Sequence, residues 1–99
     1  MSTFEQDFKE AIENLQEERK VEKKRPYVVH YCTTGTEPDF VVIARIKGGT
    51  SGRSVEVSLL GRDCKVIIPG TDIKKTFQKN ELNGIIDCIE DFLENPFTD

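Results

Sequence analysis

Between Phe40 and Ile68 three strand-like segments follow one another with only glycine-bearing turns between them, and that arrangement limits the fold more than any other feature. FVVIARIK (40–47) is apolar and β-branched. RSVEVSLL (53–60) alternates cleanly, with Val55, Val57 and Leu59 on one face and Ser54, Glu56 and Ser58 on the other. DCKVII (63–68) puts Cys64, Val66 and Ile68 inward. The connectors are GGTSG (48–52) and Gly61-Arg62, the second suiting a two-residue hairpin turn with glycine first. Connections this short predict antiparallel neighbours, because a parallel pair needs a crossover of about a dozen residues or more. Upstream, YVVHYCTT (27–34) reads as a further strand, joined through the turn Gly35-Thr36-Glu37-Pro38-Asp39. Residues 71–78 fit either a short edge strand or an early helical turn.

Both flanks change period. Over residues 3–19, Phe4, Phe8, Ile12 and Leu15 recur at helical spacing and make one apolar stripe. Ser2 with Glu5, or Thr3 with Gln6, offers a capping box. Pro26 disfavours helical geometry at Arg25, which bounds any extension of this helix. Residues 80–94 read as a second helix with Asn80 as N-cap. Leu82, Ile85, Ile86, Ile89, Phe92 and Leu93 form its wide apolar face, and Asn95-Pro96 stops it. The expected architecture is therefore α+β: a four-stranded antiparallel meander flanked by an N-terminal and a C-terminal helix, in the order α-β-β-β-β-α.

A chain of 99 residues suits one domain, spanning 1–99, with a core of modest size. No secretory leader or apolar span long enough for a membrane is visible, so a cytoplasmic protein is expected. The three cysteines (Cys32, Cys64, Cys88) are odd in number and widely spaced, and read as reduced thiols.

Charge is sorted along the chain. Residues 1–18 carry six acids and one base; residues 80–99 carry six acids and no base. The run RKVEKKR (19–25) carries five bases and one acid, and residues 26–79 carry eight bases and five acids. Acidic ends thus bracket a basic middle within a chain of net charge −4. Such sorting speaks to partners more than to fold. On the second helix Asp87, Glu90, Asp91 and Glu94 share the polar side and are the expected partner-binding face. Basic Lys47, Arg53, Arg62 and Lys65 would meet phosphates if the ligand were nucleic acid.

Strand alternation assigns Val28, Phe40, Val42, Ala44, Ile46, Val55, Val57, Leu59, Val66 and Ile68 to the helix-covered side. The opposite side then holds Tyr27, Val29, Tyr31, Val41, Ile43 and Arg45, with Leu60 and Ile67. A face this apolar is expected to be covered by a second subunit, by a helix or by a ligand. Stacking tyrosines beside bases would suit nucleic acid.

Catalytic and metal chemistry find no motif. His30 and Cys32 lack a third group and a nucleophile signature, and His30, Cys32 and Cys64 lack ligand spacing for zinc. The glycine-rich loop 47–54 resembles a phosphate nest but lacks the strand-to-helix setting of a nucleotide loop. No cofactor is expected. The functional expectation is a non-enzymatic binding or regulatory protein acting through protein–protein contacts, homodimeric and without membrane contact. The alternative is nucleic-acid binding through the basic sheet and loops, or an acidic inhibitor of a nucleic-acid enzyme.

Overall fold

The computed structural model describes residues 3–32, 40–50 and 52–95. The expected turn at 35–39, the end of the first strand at 33–34, the Ser2 cap, Ser51 and the Pro96–Asp99 tail lie outside the described residues. The order of elements is α1 (Phe4–Val21), β1 (Val28–Tyr31), β2 (Phe40–Lys47), β3 (Ser54–Leu60), β4 (Asp63–Ile67), β5 (Lys74–Gln78) and α2 (Leu82–Glu94). The class is α+β as expected, but the meander has five strands, in the order β1-β2-β3-β4-β5. The extra strand is KKTFQ, whose two lysines and single half-buried Phe77 give it no apolar rhythm.

Helix α1 begins at a capping box in which the Thr3 hydroxyl accepts from the Gln6 N–H and the Gln6 side chain accepts from the Thr3 N–H. Phe8, Ile12 and Leu15 are buried, and the stripe continues one turn further to Arg19, only 8% exposed. The helix ends at Lys23 in the left-handed region (φ 60°). There Lys23 N–H donates to Lys20 C=O and Lys24 N–H to Arg19 C=O, a double closure that more often uses glycine. Helix α2 starts at Glu81 without a side-chain cap, so Asn80 is not its N-cap. Burial holds it instead: Ile85, Ile89, Phe92 and Leu93 are fully enclosed, each contributing about 1.5–3 kcal/mol.

The strand register sorts the side chains into rows. On the helix side run Val29–Ile46–Val55, then Tyr31–Ala44–Val57–Val66–Lys75, then Val41–Leu59–Cys64–Phe77. On the other side run Val28–Lys47–Ser54, His30–Arg45–Glu56–Ile67–Lys74, and Val42–Ser58–Lys65–Thr76. Helix α2 lies against β3, β4, β5 and α1, and α1 lies beside β1, with Lys9 over the Tyr31 ring.

This corrects the expected faces. Tyr27 and Ile43 are buried in the core, and Val29 and Val41 pack against it. Val28 and Val42 point the other way. Two causes operate. Tyr27 is anchored beneath α1, which sets the phase of a short strand whose sequence carries no alternation. In β2 a bulge between Val42 and Ala44 leaves Ile43 without a partner on β3 and turns both Ile43 and Ala44 toward the helices. An unbroken FVVIA gives no sign of it.

Candidate interaction surfaces

With both helices on one side, the other face of the sheet carries no helix among the described residues and is exposed around Arg45 and Lys47, although Ser58 in its next row is fully buried. A groove of about 610 Å³ crosses β1, β2 and β3 there, lined by Val28, His30, Arg45, Lys47 and Glu56, with Pro69 at its rim. Arg45 and Lys47 are exposed, as is Lys74; Lys65 and Ile67 are half-buried. The row and its neighbours carry the bases Arg45, Lys47, Lys65 and Lys74 against the acids Glu56 and Asp63, a net positive surface on an acidic protein. Arg45 and Glu56 approach to 3.3 Å; an exposed pair of this kind contributes at most about 1 kcal/mol and leaves Arg45 available.

Of the six residues expected on this face, only Arg45 lies there in the open. Tyr31 is 38% exposed, but on the helix side at the edge of the sheet. Of the four residues expected to meet phosphate, Lys47 and Lys65 project from this face. Arg62 sits at the β3–β4 turn, and Arg53 precedes β3 at the opposite end.

On α2, Asp87, Glu90 and Asp91 are exposed, but Glu94 is not part of that surface. Its Oε1 accepts from Arg19 Nη1 at 2.7 Å and from the Tyr27 hydroxyl at 2.7 Å. Its Oε2 accepts from the Thr50 hydroxyl at 2.8 Å and the Thr50 N–H at 3.2 Å. The Arg19 guanidinium stacks on the Tyr27 ring at 3.8 Å and donates from Nε to Arg25 C=O. Gln16 completes the cluster by exchanging two hydrogen bonds with the Tyr27 backbone. Burial pushes the Glu94 carboxyl upward, but the bonds from Tyr27, Thr50 and Arg19 outweigh it and hold the group at about 2. Burial, then the Glu94 bond, raises the Tyr27 hydroxyl.

The glycine loop now has an occupant. Its Thr50 N–H does receive an anion, and that anion is the chain's own Glu94. Gly49 (φ 79°) lies so close that an added Cβ would stand 2.6 Å from the Leu93 carbonyl oxygen, which ties the β2–β3 loop to the end of α2. No local spacing in the sequence points to the cluster of Gln16, Arg19, Tyr27, Thr50 and Glu94, although Arg19 falls four residues after Leu15 on the buried stripe.

His30 lines the open groove, whereas Cys32 lines a small hollow beneath α1 with Phe8 and Ile43, and Cys64 is buried on the helix side. The three do not converge. Among the described residues no group of His, Cys, Asp or Glu is placed to hold a metal ion, and no helix is long and apolar enough to cross a membrane.

Comparison with protein families, curated proteins and solved structures finds no match. Chemistry and geometry alone carry the functional argument.

Proposed function

We propose that this is a non-enzymatic binding protein that acts through protein–protein contacts, with the open sheet face as its contact surface and an acidic polypeptide as the partner suited to it. The observation that carries the reading is the placement of both helices on one side of the sheet, while Arg45, Lys47, Lys65 and Lys74 stand on the other. Partial exposure of Val28, Val42 and Ile67 among these bases adds apolar contact to the charge. A face-to-face homodimer fits poorly, since it would press like charges together. The separation of His30 from Cys32 and Cys64 supports a non-catalytic role.

A nucleic-acid reading has one point in its favour: Lys47 and Lys65, with Arg53 and Arg62 beyond the ends of β3, follow the length of one strand. Against it stands the net charge of −4 on the whole chain, which weakens nonspecific attraction to a phosphate backbone.

The test is an amide NMR titration with a polyglutamate peptide and, separately, a single-stranded oligonucleotide. Expected are shifts at His30, Arg45, Lys47 and Lys65 with the peptide, lost in the Lys47→Glu/Lys65→Glu double variant. A salt-steep response to the oligonucleotide with none to the peptide would replace this reading by the nucleic-acid one. Silence toward both at low salt would overturn each.

A further inference from the structure

Among the described residues the two edges of the sheet are β1 and β5, and they are guarded differently. β5 opens with Lys74 and Lys75, charges of the kind that keep an edge from recruiting another strand. β1 reads Val28-Val29-His30-Tyr31, with no carboxylate, lysine or arginine. Three large hydrophobic side chains are exposed among the described residues, and two of them, Val28 at 57% and Tyr31 at 38%, fall within these four positions. An edge strand with no charged residue of its own and with exposed apolar side chains accepts a further strand, although Lys9 of α1 stands over Tyr31 and Gln16 of α1 holds the backbone of Tyr27 just before it.

The hydrogen-bond parity says which groups are open. Cys32 N–H donates to Ile43 C=O at 2.9 Å. In this antiparallel ladder Cys32/Ile43, His30/Arg45 and Val28/Lys47 are therefore the hydrogen-bonded pairs. The backbone groups of Tyr27, Val29 and Tyr31 point off the sheet. Tyr27 is already served, since Gln16 accepts from its N–H at 2.8 Å and donates to its C=O at 2.7 Å. Val29 and Tyr31 keep theirs unpaired among the described residues.

We infer that β1 pairs antiparallel with β1 of a second copy about a twofold axis through His30, fusing two five-stranded sheets into one. In that register Val29 faces the partner's Tyr31, Tyr31 faces the partner's Val29, and each pair exchanges two hydrogen bonds. His30 meets its own counterpart at the axis, and Val28 falls opposite the partner's Cys32. The neighbouring twofold registers fit less well. Pairing Val29 with itself sets Tyr31 against the partner's Tyr27, whose groups Gln16 occupies. Pairing Tyr31 with itself sets Val29 against the partner's position 33, outside the described residues. Among the described residues only the His30-centred register pairs all the open groups with one another and uses none of the occupied ones. It also brings the grooves of both copies, each with Val28, His30, Arg45 and Lys47, to one continuous surface. The contact uses a strand edge, not the open face, so it stands or falls apart from the acidic-partner reading.

Sedimentation velocity over a concentration series, joined to cysteine cross-linking, tests it. The Val29 N–H points off the sheet, so Val29→Pro removes no hydrogen bond of the monomer. The wild type is expected to sediment as a concentration-dependent dimer and Val29→Pro as a monomer of unchanged circular dichroism. Should Val29→Pro fail to fold, Val28→Lys at an exposed position is expected to halve the mass in the same way. Residues opposed in a non-hydrogen-bonded pair have Cα atoms about 4.5 Å apart, within disulfide reach. His30→Cys is therefore expected to give a covalent dimer on mild oxidation, at a rate well above any wild-type reaction through Cys32. A wild type monomeric at every concentration, a dimer indifferent to both edge variants, or cross-linking through Cys32 as fast as through His30→Cys would overturn the inference.

Discussion

Replacing Glu94 by glutamine tests a contact that joins the acidic C-terminal part of this chain to its basic run inside the fold. The Glu94 carboxyl sits at about 2 against an ordinary 4.5. At about 1.4 kcal/mol per unit this difference corresponds to about 3 kcal/mol. The side chain keeps 30% of its exposure, and solvent screening brings the figure to about 2 kcal/mol. The folded pKa is depressed, so between 4.5 and 2 the unfolded chain binds the extra proton. The stabilisation is thus complete above about pH 4.5 and is lost as pH falls toward 2. Glu94→Gln keeps an acceptor for one set of donors but leaves Arg19, 8% exposed, without its counter-charge.

Urea denaturation of both proteins at pH 7, 5, 4 and 3 reads the difference directly, because the other carboxylates contribute equally to both. The expected gap is about 2 kcal/mol at pH 7 and 5, falling below about half of that by pH 3. A gap that stays constant over this range, or no gap at pH 7, would refute the assignment of the stabilisation to an ionised Glu94.

Lys23→Gly should raise stability by about 0.5–1 kcal/mol, since Lys23 holds the left-handed position that closes α1 and glycine adopts it without the Cβ penalty; a lowered melting temperature would contradict this. Burial pushes the Cys64 thiol up to about 12 and the Cys88 thiol to about 11, so at pH 8 a thiol-reactive chromophore should label half-buried Cys32 first and the other two only on unfolding. Rapid labelling of all three in the native state would show that α2 opens readily. The Ser58 hydroxyl is buried and finds no hydrogen-bond partner among the described residues, so Ser58→Ala should be neutral or stabilising by up to about 1 kcal/mol in chemical denaturation.

What the sequence made legible follows from which residues repeat. Val55, Val57 and Leu59 alternate strictly with serines and glutamate, and β3 has the expected phase. Gly61 carries the positive φ (61°) expected of a glycine-first hairpin. The faces of β1 and of the first half of β2 were not legible, because VVHY and FVVIA are apolar at every step and admit either phase. The structure decides them by two tertiary events, the capture of Tyr27 by Gln16 and Arg19 and the bulge at Ile43. β5 was ambiguous for the opposite reason: KKTFQ pairs through its backbone and contributes only Phe77 to the apolar packing. The Arg19–Tyr27–Glu94 cluster joins residues as far as 75 positions apart, and no local spacing announces a contact of that range. Glu94 looked like one more acid on a polar helix side for the same reason.

The segmental sorting of charge acquires physical content from this arrangement. Each helix buries one stripe and turns its acids outward: Glu5, Glu10, Glu13, Glu17 and Glu18 on α1 and Asp87, Glu90 and Asp91 on α2 are exposed. The outward positions of the sheet hold the bases on the opposite side. A helix is about 10 Å across, while the Debye length at physiological salt is about 8 Å. Acids on the far side of that layer are therefore largely screened from the open face, which presents its own positive potential although the whole chain is acidic at net −4. An acidic ligand should accordingly bind the sheet better at moderate ionic strength than the net charge would allow. As salt falls and the Debye length grows past the helix layer, repulsion from α1 and α2 should begin to offset the gain. A peptide affinity that rises on dilution of salt and then levels off is the signature of two opposed surfaces, whereas an affinity rising without limit would place the acids too far away to matter.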